Sequence, residues 1–318
     1  MATTSEVTAL QQESFASRSE SRVKEFLSRV WQSPSARVGG ILVVVIVTIS
    51  ILVPLLDNYD ARRDRDLRAR YQEPDCIIGL FNGTTTLSDM ICEYPFGADA
   101  NGRSIFRRVG HGMSVSLAAG VFVVVISVTS GTLVGLVAGY FGGWIDRIFM
   151  RVVDVMFAFP SLLLAIAVVT VAGPGLRNGM LAVAITQIPV YARLARSMAI
   201  SVRNQEFVTA AHSVGASDAL IIRRHIFPNS LAPLMVQATL GLGTAVVETA
   251  ALGFLGLGQQ PPNPELGKML AESQQSLLSG KWWVMAFPGA AIILMVLGFN
   301  LLGDGLRDIL DPRLRGSR

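Results

Sequence analysis

The chain has 318 residues, 51% hydrophobic and only 16% charged, with 27 Lys and Arg against 23 Asp and Glu for a formal net charge of +4. A mean hydropathy of +0.48 is too apolar for an ordinary soluble domain and points to an integral membrane protein. The basic residues flank apolar runs instead of forming a patch, which argues against a nucleic-acid partner and for membrane lipid as the surroundings.

Residues 1–20 are rich in Ser, Thr, Glu and Gln and read as a disordered tail. In residues 21–32, Val23, Phe26, Leu27, Val30 and Trp31 recur at helical intervals. That is the pattern of an amphipathic helix lying in the cytoplasmic interface or packed on the protein's own body, within a cytoplasmic tail covering residues 1–37. The first span covers residues 38–56 and is preceded by too long a polar tail for a cleaved signal. Residues 57–110 form a long polar loop. It opens with alternating charge from Asp60 to Arg70, a solvated helix or a docking surface, because Asp60, Asp64 and Arg68 would share a helical face. The loop also holds both cysteines, Cys76 and Cys92. Outside the cytoplasm they can form a disulfide; otherwise they are two free thiols.

Five more apolar runs lie at about residues 111–140, 152–172, 178–197, 231–257 and 284–303. They are continuous rather than alternating, which predicts helices and an all-α membrane protein of six spans, with residues 111–303 as a five-helix core and 304–318 as a second cytoplasmic tail. Six spans put both termini on one side. Arg22, Arg37, Arg147, Arg151, Arg203, Arg223, Arg224 and Arg307 put that side in the cytoplasm, and the first loop is the exception, with Arg62, Arg63, Arg65, Arg68, Arg70, Arg103, Arg107 and Arg108 nearly balanced by acids. Gly131, Gly135 and Gly139 stand at four-residue spacing and allow a close helix neighbour. Pro160, in Phe157-Ala158-Phe159-Pro160, and Pro189 should break or kink their helices.

Between two apolar runs, Glu206 to Asn229 is too polar for lipid. Phe207, Ala210, Ala211 and Val214 recur at helical spacing, Gly215 permits a tight reversal, and Ser217 can cap a second helix ending before Pro228. This predicts a cytoplasmic helix-turn-helix elbow within a loop over residues 203–229, shaped for a partner. Gly267-Lys268 and Gly280-Lys281 lack the surroundings of a phosphate loop, and His111, His212 and His225 show no metal-ligand spacing. Glu248, inside an apolar run, is the intramembrane charge, facing either a pathway or a hydrogen-bonding neighbour.

The elbow resembles the cytoplasmic loop of binding-protein-dependent ABC importer permeases. Thr209-Ala210-Ala211 precede Gly215 by the family's three positions, and His225-Ile226-Phe227-Pro228 follow after nine. Thr209 stands where the family has Glu; Glu206 lies one turn earlier. Phe96-Gly97-Ala98-Asp99 with Gly102-Arg103, Phe157-Ala158-Phe159-Pro160-Ser161, Phe254-Leu255-Gly256-Leu257-Gly258 with Gln260-Pro261-Pro262, and Phe299 to Arg313 are similar to the C-type subunit of its dipeptide and oligopeptide branch. Leu266 replaces a usual Trp. The resemblance implies a type I importer fold with a long extracytoplasmic loop after the first helix, in a bacterial cytoplasmic membrane. It implies half of a peptide pathway lined by Glu248, Phe157 and Phe159, beside a homologous second permease, two ATPase subunits and an extracytoplasmic binding protein. Glu206, Thr209, Ala210, Ala211, Gly215, Ala216, Ser217 and Asp218 would couple to the ATPases. The chain would bind no cofactor or metal and be no enzyme, with ATP and Mg on its partners. Other readings are a stand-alone ion-coupled carrier using Glu248 and a membrane scaffold, which explains the elbow but not the kinked spans.

Overall fold

The computed structural model describes residue 28, residues 30–74 and residues 94–310. The polar tail, most of the expected helix over 21–32, Cys76 and Cys92, and residues 311–318 lie outside the described residues. Among the described residues the only pairing of extended backbone is an isolated bridge between Ala98 and Ser104.

Ser33 opens α1 (Pro34–Leu56): its hydroxyl accepts the Ala36 amide, and Pro34 occupies the first turn, where no amide partner is needed. The segment after α1 departs from expectation. In place of a helix over Asp60 to Arg70 there is a turn at residues 61–63 and one 3-10 turn, Leu67–Ala69. Asp60 accepts the Arg62 amide at 2.9 Å, Asp64 the Asp60 amide at 2.7 Å and Asp66 the Arg68 amide at 2.9 Å. Such local side-chain bonds compete with the helical ladder.

The next helix, α2 (Ile105–Phe141), starts before residue 111 because a buried ionic knot holds its first turn. Asp99 accepts from Arg103 Nε at 2.8 Å and also from Arg108, whose Nη2 donates to Glu272 at 2.8 Å. Asp99, Arg103 and Arg108 are all buried, so each charge is tolerable only because it is paired. Gly102, at φ +70, turns the chain here, with the Asp66 carbonyl oxygen 1.7 Å from where a Cβ would stand. Beside the knot, Arg107 binds Asp57 through two bonds, and this guanidinium holds the Asp57 carboxyl below the usual carboxylate range. Of the first-loop arginines, Arg103, Arg107 and Arg108 are therefore neutralised locally.

Gly143–Phe157 (α3) and Ser161–Ala172 (α4) meet at a 94° bend at Pro160, the expected break. α5 (Leu176–Arg203) continues through Pro189 as a helix. The elbow helix α6 (Glu206–Ser213) precedes α7 (Asp218–Phe254), and α8 (Leu266–Leu278) and α9 (Trp283–Leu310) complete the order. The expected second elbow helix does not end before Pro228. A π-helical turn, Ile222–Ile226, carries α7 on into the membrane run, and Pro228 falls in the turn that follows.

Among the described residues, α1, α2, α7 and α9 are long and apolar enough to cross a membrane, and α3 with α4 makes five if the bent pair is one span. α5 has 28 residues but carries Arg177, Gln187, Arg193 and Arg196. One face of it packs tightly on α2: Gly131, Gly135 and Gly139 lie so close that a Cβ on them would stand 2.6, 2.2 and 2.6 Å from the carbonyl oxygens of Ile188, Ala192 and Arg196. The core follows α2. Ile105, Val109 and Met113 pack with Leu266 and Trp283 at one end, Val123 with Ala165 and Ala182 in the middle, and Leu136 and Tyr140 with Val208 and Ile221 at the elbow. Glu265, 1% exposed, caps α8 by accepting the Gly267 and Lys268 amides at 2.9 Å; burial pushes its carboxyl up in spite of these bonds.

The glycine stripe predicts a contrast between positions. Gly135→Val should destabilise the protein by about 1–3 kcal/mol through overpacking, whereas Gly40→Ala, at a helical glycine with nothing within 4 Å of a Cβ, should leave stability unchanged or raise it by up to about 1 kcal/mol. Thermal unfolding of the purified chain in detergent checks both.

Candidate functional site

Two places gather the residues singled out from the sequence. The first is the elbow. α6 ends in a Schellman motif: the Ala216 amide donates to the Ala211 carbonyl at 3.1 Å and the Gly215 amide to His212 at 2.9 Å, with Gly215 at φ +83. No neighbour stands within 4 Å of a Cβ at Gly215, so the backbone conformation, and not crowding, requires glycine there. The motif's usual apolar contact is supplied by Ala211 and Ala216, both half-buried against the cluster containing Val208, Ile221 and Ile226. The three-residue spacing between Ala211 and Gly215 is thus the spacing of a helix cap.

The elbow is held from behind by Tyr140 at the end of α2. Its hydroxyl donates to Asp218 at 2.6 Å and lies 3.1 Å from His212 Nε2, while Arg203 donates to the Tyr140 carbonyl. Glu206, Thr209, Ala210, Gly215, Ser217 and Asp218 are exposed, and Val214 is 84% exposed. The eight elbow residues named from the sequence therefore divide: Ala211 and Ala216 build the hinge, and the others form the outer face.

The second place is a cavity of about 340 Å³ beside the bend between α3 and α4, lined by Phe157, Phe159, Ser161, Gln187, Tyr191, Gln237, Gly241 and Glu248 among others. It brings together the three residues expected to line a pathway. Glu248, half-buried on α7, accepts from Ser161 Oγ at 2.7 Å and from Gln187 Nε2 at 3.4 Å, so it faces a cavity and bonds to neighbouring helices at once. The bend creates the site: it places Ser161 at the start of α4, opposite Glu248. Phe157 carries the Arg193 guanidinium 3.9 Å above its ring, and Arg193 in turn pairs with Asp154 at 2.7 Å. Phe159 is 56% exposed and has no such cover.

Sequence reasoning missed Tyr140, Gln187, Tyr191 and Gln237. The rule that found Glu248, that a polar side chain inside an apolar run must face protein or a cavity, applies equally to Gln187 and Gln237. Tyr140 gave no signal, because an aromatic at a span end is ordinary interface composition.

Residues 131–316 match the family described as binding-protein-dependent transport system inner membrane component. The chain is 46% identical over 292 residues to the dipeptide transport system permease protein DppC of Alkalihalophilus pseudofirmus, covering 92% of this chain and 90% of that one. It is 44% identical to the glutathione transport system permease protein GsiD of Escherichia coli, covering 92% and 91%. Among solved structures, inward-facing forms of the MetNI methionine ABC transporter align at a TM-score of 0.50 and 20% identity, covering 65% of this chain and 96% of that one, a likeness of fold.

Removing the Tyr140 hydroxyl leaves the Asp218 carboxylate without that donor and should loosen the elbow by about 1–2 kcal/mol. Tyr140→Phe is therefore expected to speed amide hydrogen exchange over residues 211–221 while leaving α9 unchanged. Equal exchange in both proteins would show that Tyr140 does not hold the elbow.

Proposed function

Because this multi-pass membrane protein belongs to the family of binding-protein-dependent transport system inner membrane components, we propose that it is the permease subunit of an ATP-driven importer of di- or oligopeptides. The names of its relatives, a dipeptide and a glutathione permease, support the cargo class. The observation that carries the mechanism is the elbow: a capped, anchored helix that turns an exposed small-residue face outward.

In this reading the outer face, with Ala210 and Gly215 at its centre and Glu206, Thr209, Ser217 and Asp218 around it, seats in a groove on an ATPase subunit. Glu206 supplies the acid that Thr209 lacks. The hinge behind it, Ala211 and Ala216, stays with the permease. A sideways push on the elbow passes to α2 through Tyr140 and to α7 through Asp218, its first residue. α7 runs from Asp218 through its π-helical turn to Glu248, about 45 Å at 1.5 Å per residue. Displacing the elbow therefore displaces one wall of the cavity, as rigid-body rocking requires.

The pathway half formed here is completed by a homologous second permease, with two ATPase subunits beneath and a binding protein outside. ATP and Mg belong to the ATPases, and this chain carries neither catalysis nor a cofactor. In this reading α5 serves as the sixth span of a protein in a bacterial cytoplasmic membrane, so that both termini share one side, and the arginine distribution makes that side the cytoplasm. A stand-alone carrier using Glu248 as a proton site has no use for the elbow, and family membership displaces that reading.

Ala210→Trp tests the coupling face, because Ala210 is exposed and its replacement leaves the cap intact. In vesicles containing the whole complex, ATP hydrolysis should persist while peptide uptake falls by about tenfold or more, the scale of losing a central interface contact. Unchanged uptake would sink the elbow's role.

A further inference from the structure

We propose that the cavity around Glu248 binds the primary ammonium group of an imported peptide. The proposal rests on the peptide-importer reading above and assigns the chemistry by which this chain would grip its cargo.

The cavity holds more acceptor capacity than its own hydrogen bonds use. Gln187, 6% exposed, leaves its Oε1 without a partner, and Tyr191, 1% exposed, leaves its Oη without one. A buried polar atom left unpaired is costly, so two of them on residues that line one cavity mark a place where a polar ligand would be favoured. Glu248 is under-used as well. A carboxylate offers about four acceptor sites, and Glu248 receives one good bond, from Ser161, and one long one, from Gln187. Among the described residues no Lys or Arg pairs with it.

Gly241 shapes the same wall. A Cβ there would stand 2.1 Å from Tyr191 Oη, so the glycine makes room for the phenol. Glu248, Gln187 and Tyr191 come from α7 and α5, and all three line the cavity. Glu248, an anion at the cavity with acceptor sites to spare, matches a cation rich in N–H donors, which is a primary ammonium, and Gln187 Oε1 and Tyr191 Oη lie buried behind the same lining. A metal ion fits less well, because a hard cation takes several oxygen or carboxylate ligands, and no group of three His, Cys, Asp or Glu among the described residues could hold one. The uncovered ring of Phe159 at the cavity adds a cation-binding face. An α-amino group, with a pKa of about 7.7–8.0, is mostly protonated at neutral pH, so the N-terminus of a short peptide is the cargo group with this chemistry.

The test uses the complete transporter purified without its binding protein, so that discrimination comes from the membrane subunits alone. The probe is radiolabelled dialanine, followed by scintillation proximity. Unlabelled dialanine should displace it and N-acetyl-dialanine should not. Glu248→Gln should weaken retention by about tenfold or more, the scale of losing a charge-assisted bond, and Tyr191→Phe should weaken it less; copurification of every subunit establishes that each variant has assembled. Equal displacement by the N-acetyl peptide, unchanged retention by Glu248→Gln, or no retention by the wild type overturns the proposal. Uptake of dialanine by wild-type vesicles loaded with the binding protein tests the importer reading separately. Absence of that uptake sinks the reading and the site with it, whereas uptake together with ammonium-blind binding sinks the site alone.

Discussion

Two helices that touch backbone to backbone set the geometry of this protein. In lipid there is no hydrophobic gain from bringing helices together, so close association depends on small residues and tight packing. At Gly131, Gly135 and Gly139 the carbonyls of α5 occupy the space a Cβ would need, and Ser127 crosses the same interface to donate to the Ala184 carbonyl at 2.9 Å. That registration decides what α5 presents elsewhere. Gln187 and Tyr191 are set into the cavity, and Ala195, Ala199 and Val202 carry the packing down to the elbow. The two candidate functional places are thus the two ends of one contact.

The interior carboxylates show how differently one group can be used. Asp99 is buried and held by two arginines; Glu265 is buried and held by backbone amides and Ser116. Both serve to fix structure, one tying the first loop to the start of α2 and the other starting α8. Glu248, bonded by Ser161 and at the longer 3.4 Å by Gln187, differs because open volume lies beside it. A carboxylate that the fold leaves unneutralised beside a cavity is available to a ligand in a way that the other two are not.

Features that depend on covalent geometry or local chain stiffness were legible in advance. Pro160 predicted the bend, the glycine spacing predicted a close helix pair, and Gly215 predicted the reversal in the elbow, now seen as a helix cap. Features that depend on competition between partners were not. Asp60, Asp64 and Arg68 have helical spacing, but the acids bond nearby amides and Asp64 reaches Arg107. Pro228 looked like the end of a helix, yet a π-helical turn precedes it and the helix runs on through it. Ala210 and Ala211 are identical neighbours in sequence, and only packing against Val208 and Ile221 turns one inward and leaves the other exposed.

By itself the sequence determined the class of the protein, its all-helical character, the polarity of the elbow and the isolation of Glu248 in an apolar run. Those follow from composition, period and backbone restriction, which act over a few residues and do not need a folded partner. The tertiary structure decided which of those residues meet: Glu248 with Ser161 and Gln187, Tyr140 with Asp218, Arg108 with both Asp99 and Glu272. These pairs lie between 9 and 164 positions apart in the chain. Local rules carry no information about such separations, because it is the packing of whole helices that brings the groups within hydrogen-bond reach.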